Sequence, residues 1–250
     1  LQISHLQAVG AANWPAHVKA LHAIEDAAAE GVDIAFDCYP YVAGSTVLTQ
    51  LLPQRVLDGG TASMLERLSD AAERTQISSE IVSAFPWRWA DVYISAVGSQ
   101  TNRGTVGRNL QQIPDAQGCG PVDAMIDLIV EEQGDVNMIS FNQSEENLRR
   151  SLTHPLAIVI SDGFYVKGRP HPRLLGTFPL LLGTISRDRG WLALEDAVHK
   201  IKQRPAERFN MRERGILTPG AWADVTVFDA AQVDSPATYE QPELAPVGIR

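Results

Sequence analysis

The sequence predicts an α/β protein built around buried parallel strands. Two observations carry this. The run Val32-Asp-Ile-Ala-Phe-Asp-Cys-Tyr39 reads as a strand and follows a helix-patterned segment, which itself follows a strand end at Leu1–His5. That gives a strand–helix–strand unit over about forty residues. The run Ala157-Ile-Val-Ile160 is wholly apolar and mostly β-branched, and it stops abruptly in Ser161-Asp162-Gly163. Continuous apolar strands are those covered on both faces, as in parallel sheets. Chemistry in α/β barrels sits at the C-terminal mouth of such strands, so Asp162 is the first candidate site residue.

The elements follow in order. Leu1-Gln-Ile-Ser-His5 is the end of a strand. Trp14 to Glu30 has helical spacing through Val18, Leu21 and Ile24, and Gly31 stops it. The Val32–Tyr39 strand ends at Pro40. From about 46 to 120 the signals are mixed, with a helix near Ala62–Ala72, a strand near Val92–Val97 and Gly/Asn/Gln-rich connections. That is too long for an ordinary barrel loop and predicts an insertion over the site. Regularity returns with a helix over Pro121–Glu132, a strand over Val136–Phe141, and a helix over Ser144–Leu152. Glu145 and Glu146 in that helix's first turn suit its dipole. The Ala157–Ser161 strand comes next, then helices near Leu174–Arg187 and Leu192–Gln203. Past a boundary near 210 the tail reads as a small β unit, chiefly Ala223-Asp-Val-Thr-Val-Phe228.

Composition narrows the function. At 250 residues and 44% hydrophobic content, the chain can bury one large core, or one domain with a small appendix. A net charge of −9, spread without long runs, argues against nucleic acid and against an anionic membrane surface. The apolar runs are too short to span a bilayer. Two cysteines, Cys38 and Cys119, make no disulfide framework and suggest a reduced, cytoplasmic setting. There is no GxSxG elbow, phosphate-cradling glycine loop or CxxC pair, which leaves nucleotide binding and thiol redox chemistry without support.

The candidate residues lie at strand ends and in one dense loop. His5 offers an imidazole and Asp162 a carboxylate at two strand C-termini. Together they form half of a zinc site, since zinc takes N and O ligands and keeps a position for water. Taken singly, His5 also fits a hydrogen-bonded structural histidine, and Asp162 a helix cap. Tyr39 and Ser45 follow a buried strand and can donate hydrogen bonds to an anion, although Tyr39-Pro-Tyr-Val-Ala-Gly-Ser45 also reads as a turn built by Pro and Gly. Arg173, in His171-Pro172-Arg173, has the planar fork that suits a carboxylate. His171 either touches substrate or fixes that loop. His17 and His22 are five apart, off the spacing that puts two ligands on one helix face. His154 reads as structural and His199 as a surface helix residue.

These pieces resemble the D-aminoacylase group, the N-acyl-D-amino-acid deacylases of the amidohydrolase superfamily. The residues are Ile3-Ser-His-Leu6, Phe36-Asp-Cys-Tyr-Pro-Tyr-Val-Ala-Gly-Ser-Thr46, Met138-Ile-Ser-Phe141, Ser161-Asp-Gly163, His171-Pro-Arg173 with Gly176-Thr-Phe-Pro179, and Gly215 to Asp229. The resemblance runs nearly end to end. It implies the later part of a (β/α)8 TIM-like metal-dependent hydrolase barrel over 1–210, carrying the 46–120 insertion, and part of a small β-sandwich over 211–250. It implies zinc as cofactor and a small N-acyl amino acid as substrate. By the resemblance His5 matches a metal ligand. Asp162 matches the aspartate that holds metal or its water and carries the proton to the leaving amine. Tyr39, Ser45 and Arg173 match residues that hold the substrate's carboxylate. A cyclic amidase of the dihydroorotase or hydantoinase kind, or a non-catalytic or decayed barrel relative, is the alternative.

Two departures from the family follow. Its lysine two residues after the matched histidine is Gln7 here, which keeps a hydrogen bond and loses the charge. Its His-x-His pair, bridging cysteine and an earlier histidine are expected ahead of Leu1, and its closing strand after Arg250. On this reading residues 1–250 expressed by themselves aggregate or fold partly, bind zinc weakly and show no deacylase activity. A monomeric, cooperatively melting chain with stoichiometric zinc and turnover would overturn it. In the complete enzyme, Gln7→Lys should lower KM for N-acyl-D-amino acids, one charge-assisted contact being worth about 1.5–3 kcal/mol. Unchanged KM would place residue 7 away from the substrate.

Overall fold

The computed structural model describes residues 1–84, 88–113, 118 and 120–249; Cys119 and Arg250 lie outside the described residues. In chain order the elements are β1 (Gln2–Ile3), α1 (Ala16–Ala29), β2 (Ala35–Cys38), β3 (Ala43–Val47), α2 (Gln54–Leu57), α3 (Gly60–Ser69), α4 (Ala71–Ala84), β4 (Val92–Val97), α5 (Pro121–Glu131), β5 (Val136–Phe141), α6 (Glu145–Thr153), β6 (Ala157–Val159), α7 (Arg173–Leu180), α8 (Leu194–Ile201) and α9 (Gln203–Arg208). The architecture is mixed α/β.

Two sheets divide the strands. β1, β2 and β6 form a parallel sheet in the order β1-β2-β6, with Ile3 opposite Phe36 and Cys38 opposite Val159. A parallel pair needs a crossover, and α1 supplies it between β1 and β2. Leu21 and Ile24 of α1 press onto Ile34, Phe36 and Ala157. On the other side Leu152, Val159, Leu181, Ile185 and Ala197 pack together from α6, β6, α8 and the segment after α7. The parallel strands are thus covered on both faces, which accounts for their unbroken apolar sequence.

β3, β5 and β4 form a second, antiparallel sheet in that order. It has its own core, with Leu68 and Ile77 of α3 and α4 and Met125 and Ile129 of α5 against Ile94 and Met138. β3 and β5 flank the long mixed stretch, so its sheet is completed by residues on either side of it. β5, expected as a strand of the returning regular series, is the central strand here. β3, read as a Pro/Gly turn, is a strand because it pairs with β5 along its whole length, from Ala43↔Phe141 to Val47↔Asn137. α4 had no clear sequence signal, since its buried positions are Ile77 and Ile81.

α7 contains Pro179 and continues over Leu181–Asp188 as a wider π-helical coil. Proline lacks the N–H for the regular ladder and its ring clashes with the preceding turn, so the ladder resumes with longer reach. Against this coil lies the tail. Val233 is fully buried, its carbonyl accepts from Arg187 Nη1 at 2.9 Å, and Asp234 accepts from Thr184 Oγ1 at 3.0 Å.

The tail was expected to be a small β unit. Among the described residues after α9 there is no regular strand, and the pairing is limited to the isolated bridges Phe228↔Ile249 and Asp234↔Val247. Trp222, Val225 and Val227 are exposed. A β-branched run becomes a strand when a neighbour pairs along its length, and among the described residues this run is bridged only at Phe228. No described helix is long and apolar enough to cross a membrane.

The contact between coil and tail depends on Gly183. A Cβ there would fall 2.2 Å from the Val233 carbonyl oxygen. Gly183→Ala should therefore cost about 1–3 kcal/mol, the usual range for overpacking, seen as a lower denaturation midpoint. An unchanged midpoint would mean the tail is not docked on the coil.

Candidate active site at the ends of the parallel strands

The C-termini of β1, β2 and β6 lie side by side, and each delivers a residue singled out from the sequence. His5 follows β1, Tyr39 follows β2, and Asp162 follows β6. Neighbouring strands are about 4.8 Å apart, so the ends of β1 and β6 are separated by about 10 Å, with β2 between. His5 and Asp162 share a rarer feature. Their φ angles are 34° and 46°, in the left-handed region that side chains other than glycine seldom adopt. Such strain costs about 1–3 kcal/mol per residue and clusters at functional sites. At His5 it is held by Asp37, a buried carboxylate on β2 that accepts the His5 N–H at 2.6 Å and the Gln2 Nε2 at 2.9 Å. Sequence reasoning missed Asp37. Its signal was a charged residue in the middle of a buried strand.

Arg173, at the start of α7, draws the other candidates together. It is 2% exposed. Its Nη2 meets Asp162 Oδ2 at 2.9 Å and donates to the Ser45 backbone carbonyl at 3.3 Å. Its guanidinium carbon lies 4.5 Å from the centre of the Tyr39 ring. A buried cation is costly unless paired, and the aspartate, the carbonyl and the ring face supply that pairing. Its Nε has no partner among the described residues, which leaves a donor in hand for another oxygen. Ser45 therefore serves Arg173 through its main chain, and its side chain is partly exposed. Burial pushes the Tyr39 phenol up, with Gln7 and Arg173 acting against the shift.

The loop carrying Arg173 is braced by His171. Its Nδ1 accepts the Arg173 N–H at 3.0 Å, so the ring proton sits on Nε2, which donates to the Ala43 carbonyl at 3.1 Å. Burial, with Arg173 beside it, pushes the imidazole down to about 3. Both nitrogens are used within the protein and the ring is buried, so of its two roles His171 takes the loop-fixing one. Gln7 is half-buried, and its Oε1 accepts from Gln143 Nε2 at 3.1 Å. Gln143 also donates to Asn142 Oδ1 at 2.8 Å. Neither Asn142 nor Gln143 carried a sequence signal.

The remaining candidates are structural. His17 is buried against Ser151 Oγ at 2.9 Å. His154 is buried, with Nε2 3.1 Å from Glu25 and Nδ1 accepting the Leu156 N–H. His22 is exposed, and His199, expected at the surface, is half-buried. Burial pushes the Cys38 thiol up to about 12, which makes it inert at neutral pH. Among the described residues no group of three or more His, Cys, Asp or Glu side chains could hold a metal ion. His5 and Asp162 are the N and O donors at the strand ends. The His5 imidazole faces solvent, with no described residue hydrogen-bonded to its ring, and Asp162 is about one-third exposed, its side-chain relative accessibility being 35%.

Comparison with known proteins places the chain in a family. The model described as Amidohydrolase family matches residues 52–250. An N-acyl-D-glutamate deacylase and a D-aminoacylase of Alcaligenes xylosoxydans xylosoxydans are each 34% identical over 247 residues. The match takes in 99% of this chain and 42% and 43% of theirs. The crystal structure of N-acyl-D-glutamate deacylase from Bordetella bronchiseptica, complexed with zinc and a phosphonate inhibitor, superposes with a TM-score of 0.77 at 31% identity. It covers 100% of this chain and 44% of that one. A D-aminoacylase structure described for its binuclear metal centre gives 0.76 at 33% identity, covering 100% and 44%. The chain thus spans less than half the length of the relatives it matches. The strand-end motifs, the family match and the shared fold together make the chain a member of the amidohydrolase family.

Proposed function

We propose that the complete protein is a metal-dependent hydrolase that deacylates N-acyl-D-amino acids, releasing the D-amino acid and a carboxylate. The observation that carries this is Arg173, a buried guanidinium whose Nε has no partner among the described residues, beside Asp162, Tyr39 and Ser45 at the mouth of the parallel strands. A site that pairs a fixed cation with a strand-end carboxylate suits a small substrate carrying its own carboxylate next to an amide. The relatives named as deacylases of N-acyl-D-amino acids support the same choice. The reading takes β1, β2 and β6 as neighbours in a (β/α)8 barrel and the tail as part of a β-sandwich. It places the enzyme in the cytoplasm.

In this mechanism Arg173 binds the substrate's carboxylate through its fork, and the Tyr39 and Ser45 hydroxyls add hydrogen bonds to it. Asp162 accepts a proton from the attacking water as its oxygen bonds to the acyl carbon. It then delivers that proton to the amine nitrogen as the C–N bond breaks. His5 and Asp162 would hold zinc, together with ligands from the rest of the complete protein. When bound, zinc supplies Lewis acidity to the carbonyl and lowers the pKa of water.

Asp162→Asn keeps the shape of the side chain and removes its basicity. In the complete protein it should lower kcat for N-acetyl-D-amino acids by about 10²–10⁴-fold, the usual contribution of a general acid–base. Near-normal turnover would end the assignment. A panel of N-acetyl-D- and L-amino acids, dihydroorotate and hydantoins, run with metal analysis, should show the D-amides as preferred substrates. Preferential ring opening would point to a cyclic amidase instead.

A further inference from the structure

We infer that His171 is a positioning residue for carboxylate recognition: as a neutral imidazole of fixed tautomer, it sets where Arg173 presents its guanidinium. The inference rests on Arg173 being the carboxylate-binding residue. Its own support is geometric.

His171 ties two otherwise separate segments together. Its Nδ1 takes the main-chain N–H of Arg173, which is the first residue of α7 and has no earlier helical carbonyl to bond. Its Nε2–H donates to the carbonyl of Ala43, the first residue of β3. Two residues on, the Ser45 carbonyl accepts from Arg173 Nη2. The arginine is therefore held to β3 twice, at its backbone through His171 and at its guanidinium directly. Ring packing fixes the imidazole from three sides. Tyr41 meets it edge-on at 5.0 Å, Tyr239 at 5.2 Å and Tyr39 at 6.3 Å. Tyr39 is the ring on which the guanidinium rests. One imidazole thus sets the backbone origin of Arg173, touches the platform under its head group, and anchors the strand that receives it.

The tautomer matters. With the proton on Nδ1, or on both nitrogens, the Arg173 N–H would face another N–H, and the start of α7 would have to move. Burial keeps the ring neutral, in agreement with this arrangement. Both ring nitrogens are committed to main-chain partners, so its effect acts through Arg173.

The experiment compares His171→Phe and His171→Gln in the complete enzyme. Phenylalanine keeps an aromatic ring among the tyrosines and loses both hydrogen bonds. Glutamine can restore a donor and an acceptor. The readout is KM and kcat for an N-acetyl-D-amino acid, set against inhibition by its uncharged C-terminal carboxamide. We expect His171→Phe to raise KM about tenfold or more with kcat changed far less, to leave carboxamide inhibition near wild type, and His171→Gln to recover much of the loss. Equal weakening toward acid and carboxamide, or a fall in kcat with unchanged KM, would overturn the proposal, as either marks a general structural role. Histidine-selective nitrogen NMR of the complete enzyme supplies a readout independent of activity. The signal lost in His171→Phe should show Nε2 protonated and Nδ1 bare from pH 5 to 8. Protonation at Nδ1 in that range would overturn the brace whatever the kinetics. An enzyme with the expected tautomer but no deacylase activity would instead overturn the functional reading.

Discussion

A guanidinium enclosed by protein has lost the water that would have solvated it, and its surroundings must supply the compensation. Arg173 imposes this on three parts of the chain. Asp162 comes from the end of β6, the Ser45 carbonyl from β3, and the Tyr39 ring from the end of β2. Arg173 also opens α7, where the helix dipole disfavours a cation, and the Asp162 carboxylate offsets that disadvantage as well. The parallel sheet, the antiparallel sheet and the helix that follows therefore meet around one charge.

The second sheet owes its place to how β2 ends. Four residues separate Cys38 from Ala43, so β3 starts at the mouth of the parallel strands. Its partner β5 runs back toward that mouth, and Phe141, opposite Ala43, meets Tyr239 of the tail and Tyr93 of β4 edge-on. A second sheet with its own hydrophobic core thus supplies the main-chain carbonyls of Ala43 and Ser45 that meet His171 and Arg173.

Much of this could be read from the chain. Asp162 stood out because a β-branched run was cut off by Ser-Asp-Gly. β4 was legible over Val92–Val97, and α5 over nearly its full length, because hydrophobic periodicity there is strong. β3 was hidden because Pro40 and Gly44 are turn formers by local preference, and pairing with β5 overrides that preference. The direction of β5 was not legible at all, since alternation does not distinguish a parallel from an antiparallel neighbour. The tail shows the converse. Val225 and Val227 have the right pattern, but without a paired neighbour the pattern yields no strand. Asp37 and Gln143 were missed because their side chains bond residues far away in the chain, Gln2 and His5 for the one and Gln7 for the other, which no local periodicity encodes.

The left-handed backbone at His5 and Asp162 is a conformation that glycine adopts more readily than any residue with a side chain. At either position glycine would be the more comfortable occupant, and it would carry no chemistry. Selection for a more stable scaffold and selection for an intact site therefore pull these two positions in opposite directions. The surrounding cores have to hold both turns in place against that tendency, and a generic stabilising consensus would be misleading there.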